Sequence, residues 1–246
     1  MNAEKIKVFL TNNIAVHTFG QLDSTNNEAK RNVLRDLGRP TLYVSESQTA
    51  GRGRLGRSFY SPEGGLYMTL SLPLCGSPEQ LRRVTCAAAV AVSEAVGAVT
   101  GLEPTVKWVN DIYVDGRKVA GILSELVLDD LNRPAAIIIG VGVNLTTAEF
   151  PSEIADRAGR IGDCDPDRLC AAIADHIIDE YSRLSDDSFL EKYIVLNFCL
   201  GKRITYIDRD GEHTATALTI APDGALVVDK NGERKALSSG EISIIP

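Results

Sequence analysis

The feature that most constrains the fold of this chain is the segment Ala135–Val143, which is apolar throughout and includes two glycines. A short, continuous apolar run is typical of a strand buried on both faces, so we predict a central strand here. Asp115 and Gly116 predict the tight turn between two other strands. The remaining strands are predicted at 41–44, 66–72, 105–108, 112–114 and 118–126.

Helices are predicted between these strands. Their starts are indicated by the capping patterns Thr25-x-x-Glu28, Ser77 with Pro78 and Gln80, and Ser188-x-x-Glu191. The three helices end near Gly38, Val96 and Asn197, and a further helix is predicted at 168–184.

The pattern changes after Leu200, where short strands alternate with tight turns. Turn residues occur at Asp210-Gly211, Pro222-Asp223-Gly224 and Asn231-Gly232. We therefore predict an α+β chain of two domains. Residues 1–198 form a mixed sheet flanked by helices, and residues 199–246 form a small β-barrel of SH3-like type.

Charge and cysteine content exclude several classes of protein. The net charge of −7, from 33 acidic and 26 basic residues, disfavours duplex DNA as a partner. Five cysteines without a C-x-x-C pair and three histidines give no zinc-site pattern. Residues 1–15 lack the apolar stretch of a signal peptide, and the run 86–92 is too short to span a membrane. We expect a cytoplasmic protein without a membrane segment.

The segment Gln48–Ser58 is the first candidate site, because three glycines alternate in it with Arg52, Arg54 and Arg57. Glycine lets the backbone approach a ligand closely, and arginine forms charge-assisted hydrogen bonds with phosphate. The order of residues matches neither a Walker loop nor a dinucleotide-binding fingerprint. Taken alone, the segment indicates an anion site or a solvated basic loop.

Two further clusters lie in the predicted strands. Strand alternation predicts that Lys118, Ala120, Ile122 and Ser124 share one face, with the lysine either reaching a counter-ion or extending into solvent. Asn144, after Gly140 and Gly142, marks either a site of close backbone approach or a sharp turn out of the sheet.

Together these segments resemble biotin protein ligases. The resembling elements are DSTN (23–26), QTAGRGRLGRSFYSPEGGLYMTL (48–70), KWVNDIYV (107–114), RKVAGILSE (117–125), GVGVNL (140–145) and the C-terminal LSSGEISII. Val109 stands where the family usually has proline, and Phe59 where tryptophan is common. The DSTN element begins at Asp23, which resembles the monofunctional type without an N-terminal DNA-binding domain.

The resemblance implies a class II synthetase-like catalytic domain that forms biotinyl-5′-AMP from biotin and ATP. The biotin then passes to a lysine of a biotin carboxyl carrier protein domain of a biotin-dependent carboxylase. Mg²⁺ is expected with ATP, no metal ligand is identified, and the family includes both monomers and homodimers. The alternatives are a lipoate or octanoate ligase of the same fold, a non-catalytic biotin- or nucleotide-binding module, and a nucleic-acid binder.

The resemblance also implies the site residues. Biotin contacts are expected from Ser24, Thr25, Asn26, Gln48, Gly51, Arg52, Gly53, Arg54 and Lys118. Nucleotide contacts are expected from Arg54, Arg57, Trp108, Asn110, Lys118 and Asn144. Catalytic roles are expected for Lys118, Arg52, Arg54, Lys107 and Asp111. Ser24 and Thr25 have helix capping as an alternative role, and Trp108 has core packing.

Overall fold

The computed structural model describes residues 1–35, 37–74 and 80–245, and within them the predicted α+β fold is confirmed. The helices are Ala3–Phe9 (α1), Thr25–Asn32 (α2), Leu81–Thr100 (α3), Pro166–Ser182 (α4) and Ser188–Leu196 (α5). The first sheet contains Ala15–Leu22 (β1), Thr41–Gln48 (β2), Gly65–Pro73 (β3), Thr105–Lys107 (β4), Asp111–Val114 (β5), Arg117–Leu128 (β6) and Pro134–Asn144 (β7). The second contains Arg203–Asp208 (β8), Gly211–Ile220 (β9), Leu226–Lys230 (β10), Glu233–Leu237 (β11) and Ile242–Ile244 (β12).

The first sheet has the strand order β1-β2-β3-β7-β6-β5-β4. β1 and β2 pair in parallel, and the other neighbouring pairs are antiparallel, so the sheet is mixed as predicted. β7 pairs with β3 on one side and β6 on the other. The prediction of a central strand at Ala135–Val143 is therefore confirmed.

The two faces of this sheet carry different layers. α3 packs on one face together with α4 and α5, and Ile137 and Ile139 of β7 belong to that core. On the other face α2 packs against β2, β3 and β7, where Ile138 meets Ala29 and Val33. Since α2 is short, it covers only part of this face of the sheet. The uncovered part contains the cavity described below.

Helix α3 is long and apolar enough to cross a membrane by length and composition alone. However, 67% of its most apolar window is buried inside the protein. Ala87, Ala91 and Ala95 lie in the core, where their small side chains allow close packing. The apolar composition therefore reflects a core helix between the sheet and α4. The predicted start of this helix at Ser77 and Pro78 lies outside the described residues.

Helix α1 and strand β1 lie before Thr25, where no element is predicted from the sequence. α1 is a single short helix whose start is marked only by Asn2, the side chain of which accepts hydrogen bonds from the backbone of Glu4 and Lys5. β1 is an edge strand in which Val16 is the one buried residue. A strand with so little burial shows almost no apolar alternation, so periodicity did not reveal it.

Two predicted caps were displaced by one residue. Ser24, not Thr25, is the N-cap of α2, and its side chain makes no capping hydrogen bond. The backbone N–H of Thr25 instead donates to Gln48 Oε1 over 2.8 Å. Likewise Asp187 is the N-cap of α5, and Ser188 is the first helical residue. The orphan N–H of Thr25 is therefore satisfied by a residue of a neighbouring strand, which a local pattern does not reveal.

The prediction that Lys118 shares a face with Ala120 was wrong. The register of β5 and β6 shifts, since Ile112 pairs with Ala120 but Tyr113 pairs with Lys118. This β-bulge places one extra residue in β6 and reverses the alternation at that point. Val119 and Ala120 are both in the α3-side core. Lys118 consequently lies on the opposite face, toward α2.

The second sheet has the strand order β11-β10-β9-β8-β12 and is antiparallel, as expected for a small SH3-like domain. Its β10–β11 turn uses Asn231 and Gly232 with φ of 56° and 88°, which is the predicted tight-turn chemistry. Arg82 of α3 donates from Nε to the Ser238 carbonyl over 2.8 Å. This contact helps to hold the second sheet at one end of the first.

Candidate active site

The cavity lies on the α2 face of the first sheet and encloses about 910 Å³ of space, its open mouth included. Its walls come from α2, the 48–58 loop, the β4–β5 turn and the end of the second sheet. Arg52 and Lys118 both line the cavity. The Gln48–Ser58 loop and the strand lysine that were predicted as site residues therefore meet at one site.

Glycines form much of the cavity floor. A Cβ atom on Gly140 would collide with Asn26 Oδ1, and one on Gly142 would lie 2.5 Å from Phe59 Cε1. Gly121 is similar, since its Cβ would lie 3.1 Å from the Phe59 ring. Side chains at these positions would occupy the space used by the residues above them. The floor is therefore open because these three strand positions have no side chain.

One end of the cavity is polar but uncharged. The Gln48 Oε1 atom accepts from the Thr25 backbone N–H and lies 3.2 Å from the Thr25 hydroxyl, while Gln48 Nε2 donates to Ser61 Oγ over 2.9 Å. Ser24 is buried beside them, with 2% of its surface exposed. The amide of Gln48 has one further N–H, and the hydroxyl groups retain lone pairs. This end can bind an uncharged group that both donates and accepts hydrogen bonds.

Asn26 is used differently from its neighbours. Its Nδ2 atom donates to Glu125 Oε2 over 2.8 Å and to the Leu123 carbonyl over 3.3 Å, and its Oδ1 atom accepts from Thr69 over 2.6 Å. Both amide hydrogens are thereby used inside the protein. Asn26 supports the uncharged end and has little capacity left for a ligand.

The other end of the cavity is cationic. Lys118 Nζ lies 2.6 Å from Asp111 Oδ1, and both side chains are partly exposed. Arg54 donates from Nη1 to Asn110 Oδ1 over 3.2 Å. Burial lowers the pKa of the Arg54 guanidinium, with partial compensation from the charge of Asp111. Lys107 also lines this end. Arg54, Lys107 and Lys118 outnumber the two carboxylates that line the cavity, Asp111 and Glu241, so this end favours an anion.

The three arginines of the loop are tethered to three different parts of the protein. Arg52 contacts Glu125 of β6, Arg54 contacts Asn110 of the β4–β5 turn, and Arg57 forms a two-point ion pair with Glu241 next to β12. The hydrogen bond from Arg57 lowers the pKa of the Glu241 carboxyl. A loop held at three places covers the cavity from one side to the other.

Most of the predicted site residues line the cavity, but two do not. The lining includes Ser24, Thr25, Asn26, Gln48, Arg52, Gly53, Arg54, Arg57, Lys107, Trp108, Asn110, Asp111 and Lys118. Gly51 is buried within the loop, where a Cβ would overlap the Phe59 carbonyl and the Ser61 hydroxyl. Asn144 is also placed elsewhere, because its Nδ2 atom donates to the Gly159 carbonyl over 2.9 Å. Burying this amide requires an acceptor, and the 157–159 segment provides it.

Trp108 lies both in the core and at the wall of the cavity. The ring is 4% exposed and belongs to the α3-side core, yet the residue also lines the cavity. Its Nε1 atom donates to the Gly224 carbonyl of the second sheet over 3.0 Å. Trp108 therefore packs in the core and fixes the second sheet beside the cationic end.

Glu125, Glu241 and Phe59 are also part of the site or its walls, and no role is predicted for them from the sequence. Glu125 and Glu241 stand inside the resembling segments RKVAGILSE and LSSGEISII, which was the available signal. Their partners, Arg52 and Arg57, are 73 and 184 residues away. Only the folded chain brings these carboxylates to the loop.

The described residues contain no group of three or more His, Cys, Asp or Glu that could hold a metal ion. The carboxylates that line the cavity, Asp111 and Glu241, are each paired with a cation. Mg²⁺ accepts phosphate and water oxygens in place of a protein cage. The described residues therefore form no protein cage for Mg²⁺, and an ion that accompanies ATP would be held largely by phosphate and water oxygens.

Comparison with known proteins identifies the family. Residues 19–144 match the Biotin/lipoate A/B protein ligase family, and residues 199–244 match the Biotin protein ligase C terminal domain. The bifunctional ligase/repressor BirA of Bacillus spizizenii is 29% identical over 238 residues, covering 91% of this chain and 72% of that protein.

Two solved structures extend this similarity to three dimensions. The biotin protein ligase of Aquifex aeolicus in complex with biotin and ATP is 30% identical, with a TM-score of 0.78 over 94% of this chain and 98% of that one. The Leishmania major enzyme in complex with biotinyl-5-AMP is 27% identical, with a TM-score of 0.66 over 93% and 100%. The chain belongs to the biotin/lipoate A/B protein ligase family, and within it to the biotin protein ligases.

Proposed function

We propose that this enzyme converts biotin and ATP to biotinyl-5′-AMP in this cavity and then transfers biotin to a lysine of a biotin carrier protein. The observation that carries the proposal is the division of the cavity into two ends. The end at Thr25 and Gln48 is uncharged and suits the urea of biotin, and the end at Lys118 suits a carboxylate meeting a phosphate. The Aquifex relative was solved with both biotin and ATP.

In the first step a carboxylate oxygen of biotin attacks the α-phosphorus of ATP. A new phosphorus–oxygen bond forms, the bond to the β-phosphate oxygen breaks, and pyrophosphate leaves. Negative charge accumulates on the oxygens of the α-phosphate during this exchange. We assign its stabilisation to Lys118 and Arg54, whose positions are fixed by Asp111 and Asn110. Lys107 and Arg57 are assigned to the outgoing phosphates.

The biotin ring is assigned to Ser24, Thr25 and Gln48, with the backbone of Gly53 and the side chain of Arg52 closing over it. Asn26 supports this group, since its amide is already bonded within the protein. Holding both reactants in one orientation removes most of the entropic cost of their encounter.

The nucleotide is assigned to the side of the cavity formed by Trp108, Asn110 and Arg57, beside the second sheet. Asn144 receives a supporting role. Its amide holds the Gly159 carbonyl, and the same segment pairs with Lys118 through Lys118 N–Arg157 O and Gly159 N–Lys118 O, each 2.8 Å. Asn144 would thus steady the strand end that carries Lys118.

In the second step the amine of the acceptor lysine attacks the carbonyl carbon of the adenylate. An amide bond forms, the bond to the phosphate oxygen breaks, and AMP and one proton are released. At an ordinary pKa near 10.4, only about one lysine in 10³ is neutral at pH 7. The mixed anhydride is reactive enough to use that fraction, and the loop shields it from water meanwhile.

We further propose that the acceptor is the biotin carboxyl carrier domain of a biotin-dependent carboxylase. A cytoplasmic location, the absence of a DNA partner and a possible homodimer stay predictions. Incubation with random duplex DNA in a mobility-shift assay tests the second of these directly.

The decisive experiment is incubation of the enzyme with MgATP and a carrier domain, with biotin, lipoate or octanoate in parallel. We expect intact-mass analysis to show one added biotinyl group and no lipoyl or octanoyl product. Biotin-dependent pyrophosphate release should appear even without the carrier. A lipoyl product would assign the chain to the other branch of the family, and binding of biotin without pyrophosphate release would indicate a non-catalytic module.

A further inference from the structure

Glu125 is a carboxylate at the back of the cavity wall with four close contacts. Its Oε1 atom lies 2.7 Å from Lys30 Nζ and 3.1 Å from Arg52 Nη2. Its Oε2 atom lies 2.8 Å from Asn26 Nδ2 and 3.2 Å from Arg52 Nη1. The side chain is 18% exposed. A carboxylate accepts about four hydrogen bonds, so this one is saturated.

Contacts with Glu125 extend to the uncharged end of the cavity. Because Asn26 Nδ2 donates to Glu125, its Oδ1 atom must face Thr69, from which it accepts over 2.6 Å. Thr69 Oγ1 lies 2.8 Å from Thr25 Oγ1, and Thr25 contacts Gln48. The chain of hydrogen bonds therefore runs from the carboxylate to the groups assigned to the biotin ring.

The same carboxylate anchors the start of the glycine–arginine loop. Arg52 binds it through two nitrogens and also donates to Asn27 Oδ1 of α2 over 3.3 Å. Burial raises the pKa of the Glu125 carboxyl, but the hydrogen bonds from Asn26 and Lys30 and the nearby positive charges outweigh burial and lower it overall. An ionised anchor is thus present at neutral pH.

We propose that Glu125 is a positioning residue for biotin. It fixes the amide orientation of Asn26 and tethers Arg52. One group thereby positions both the uncharged end of the cavity and the loop above it. This inference rests on the proposed function, because it concerns the same reaction. It predicts that Glu125 acts on biotin binding and loop closure, with little effect on the chemistry at Lys118.

The test compares Glu125→Gln with Lys30→Met. Glutamine keeps the size of the side chain but replaces one acceptor oxygen by an NH₂ group. That group would face Lys30, Arg52 or Asn26 Nδ2, which are all donors. Lys30→Met removes another cation from the same carboxylate without touching the loop or Asn26. For Glu125→Gln we expect the KM for biotin in pyrophosphate release to rise about tenfold, the effect of weakening one charge-assisted hydrogen bond, while kcat changes less than about threefold. For Lys30→Met the KM should stay within about twofold of wild type.

Trypsin gives a second measurement that does not depend on activity. It cleaves after arginine, so fragments ending at Arg54 or Arg57 report opening of the loop. Cleavage there should be at least about twofold faster in Glu125→Gln than in wild type or Lys30→Met, because proteolysis follows the population of the open form. Arg52→Gln should give the same acceleration, and the double variant should add little to it.

Each outcome has one meaning. Equal rises in KM for Glu125→Gln and Lys30→Met would show that the carboxylate only anchors α2, which would overturn the inference. An unchanged KM together with an unchanged cleavage rate for Glu125→Gln would overturn it as well. If Glu125→Gln does not fold, cleavage of Arg52→Gln at the wild-type rate would overturn the tether. If wild type releases no pyrophosphate with biotin, the proposed function fails, and trypsin still tests the tether by itself.

Discussion

Lys118 Nζ lies 2.6 Å from Asp111 Oδ1, a contact between neighbouring strands of the sheet that faces the cavity. The carboxylate holds the ammonium group at the cationic end before any substrate is bound. Because the two side chains are 32% and 24% exposed, the pair is accessible to an entering anion. The arrangement makes Lys118 a pre-oriented cation at this end of the cavity.

Lys118→Ala should lower biotin-dependent pyrophosphate release by at least about 10²-fold, the usual cost of removing a group that stabilises transition-state charge. The melting temperature should change little, because the lysine is partly exposed. The release assay and circular dichroism measure the two effects. Lys5→Ala, at an exposed position on α1, is the control. Near-normal release by Lys118→Ala would remove its assigned role.

Arg54→Gly should release biotinyl-5′-AMP into solution about tenfold faster than wild type, since a charge-assisted contact to the phosphate is lost. Escaped adenylate acylates exposed lysines at random. Biotinylation of added serum albumin, read by avidin blot, measures this leak. Arg209→Gly, in an exposed turn of the second sheet, should show no bystander labelling. Equal retention of adenylate by both variants would mean that Arg54 does not close the site.

Glu241→Gln should raise the KM for ATP without greatly changing stability. The Arg57–Glu241 pair is 61% and 49% exposed, and such pairs contribute about 0–1 kcal/mol. Its effect is to hold the loop against the second sheet. Added salt should therefore raise the KM for ATP more in wild type than in the variant. Glu233→Gln, exposed on β11, is the matched control, and identical salt profiles for all three proteins would contradict the tether.

Gly140→Ala should destabilise the protein by about 1–3 kcal/mol, because the new methyl group collides with the Asn26 amide. Biotin affinity should fall as well, since Asn26 supports the uncharged end. Gly20→Ala is a strand glycine with nothing within 4 Å of the added Cβ, and it should be neutral. Thermal melts with and without biotin measure both effects. A neutral Gly140→Ala would show that Asn26 can move freely.

The stability advantage of wild type over Glu125→Gln should depend on pH. The pKa of Glu125 is lowered in the folded protein relative to its ordinary value near 4.5. Its charge therefore stabilises the fold fully above that value, and the contribution is lost as pH falls through the folded-state pKa. Urea unfolding of both proteins should show a constant gap from pH 8 to about pH 6 and a shrinking gap below about pH 4.5. A gap that widens on acidification would contradict the sign.

Local sequence patterns predicted the well-buried strands of the first sheet more accurately than its exposed edge. The continuous apolar run predicted β7 to within one residue at each end, because a strand buried on both faces leaves such a run in the sequence. β3 was also predicted to within one residue at each end. Local patterns did not predict β1, which has one buried residue, or the bulge that turns Lys118 toward α2. A bulge depends on the register between two paired strands, which the sequence pattern of one strand does not specify.

The amino-acid sequence by itself determined the family, the α+β organisation and the residues that carry charge to the site, since those follow from motifs and from periodic burial. The tertiary structure alone decided the partners. Arg52 meets Glu125, Arg57 meets Glu241 and Asn144 meets Gly159 because the chain brings together atoms that are 73, 184 and 15 residues apart. Hydrogen bonds and ion pairs act over a few ångströms, so their existence is a property of the folded geometry.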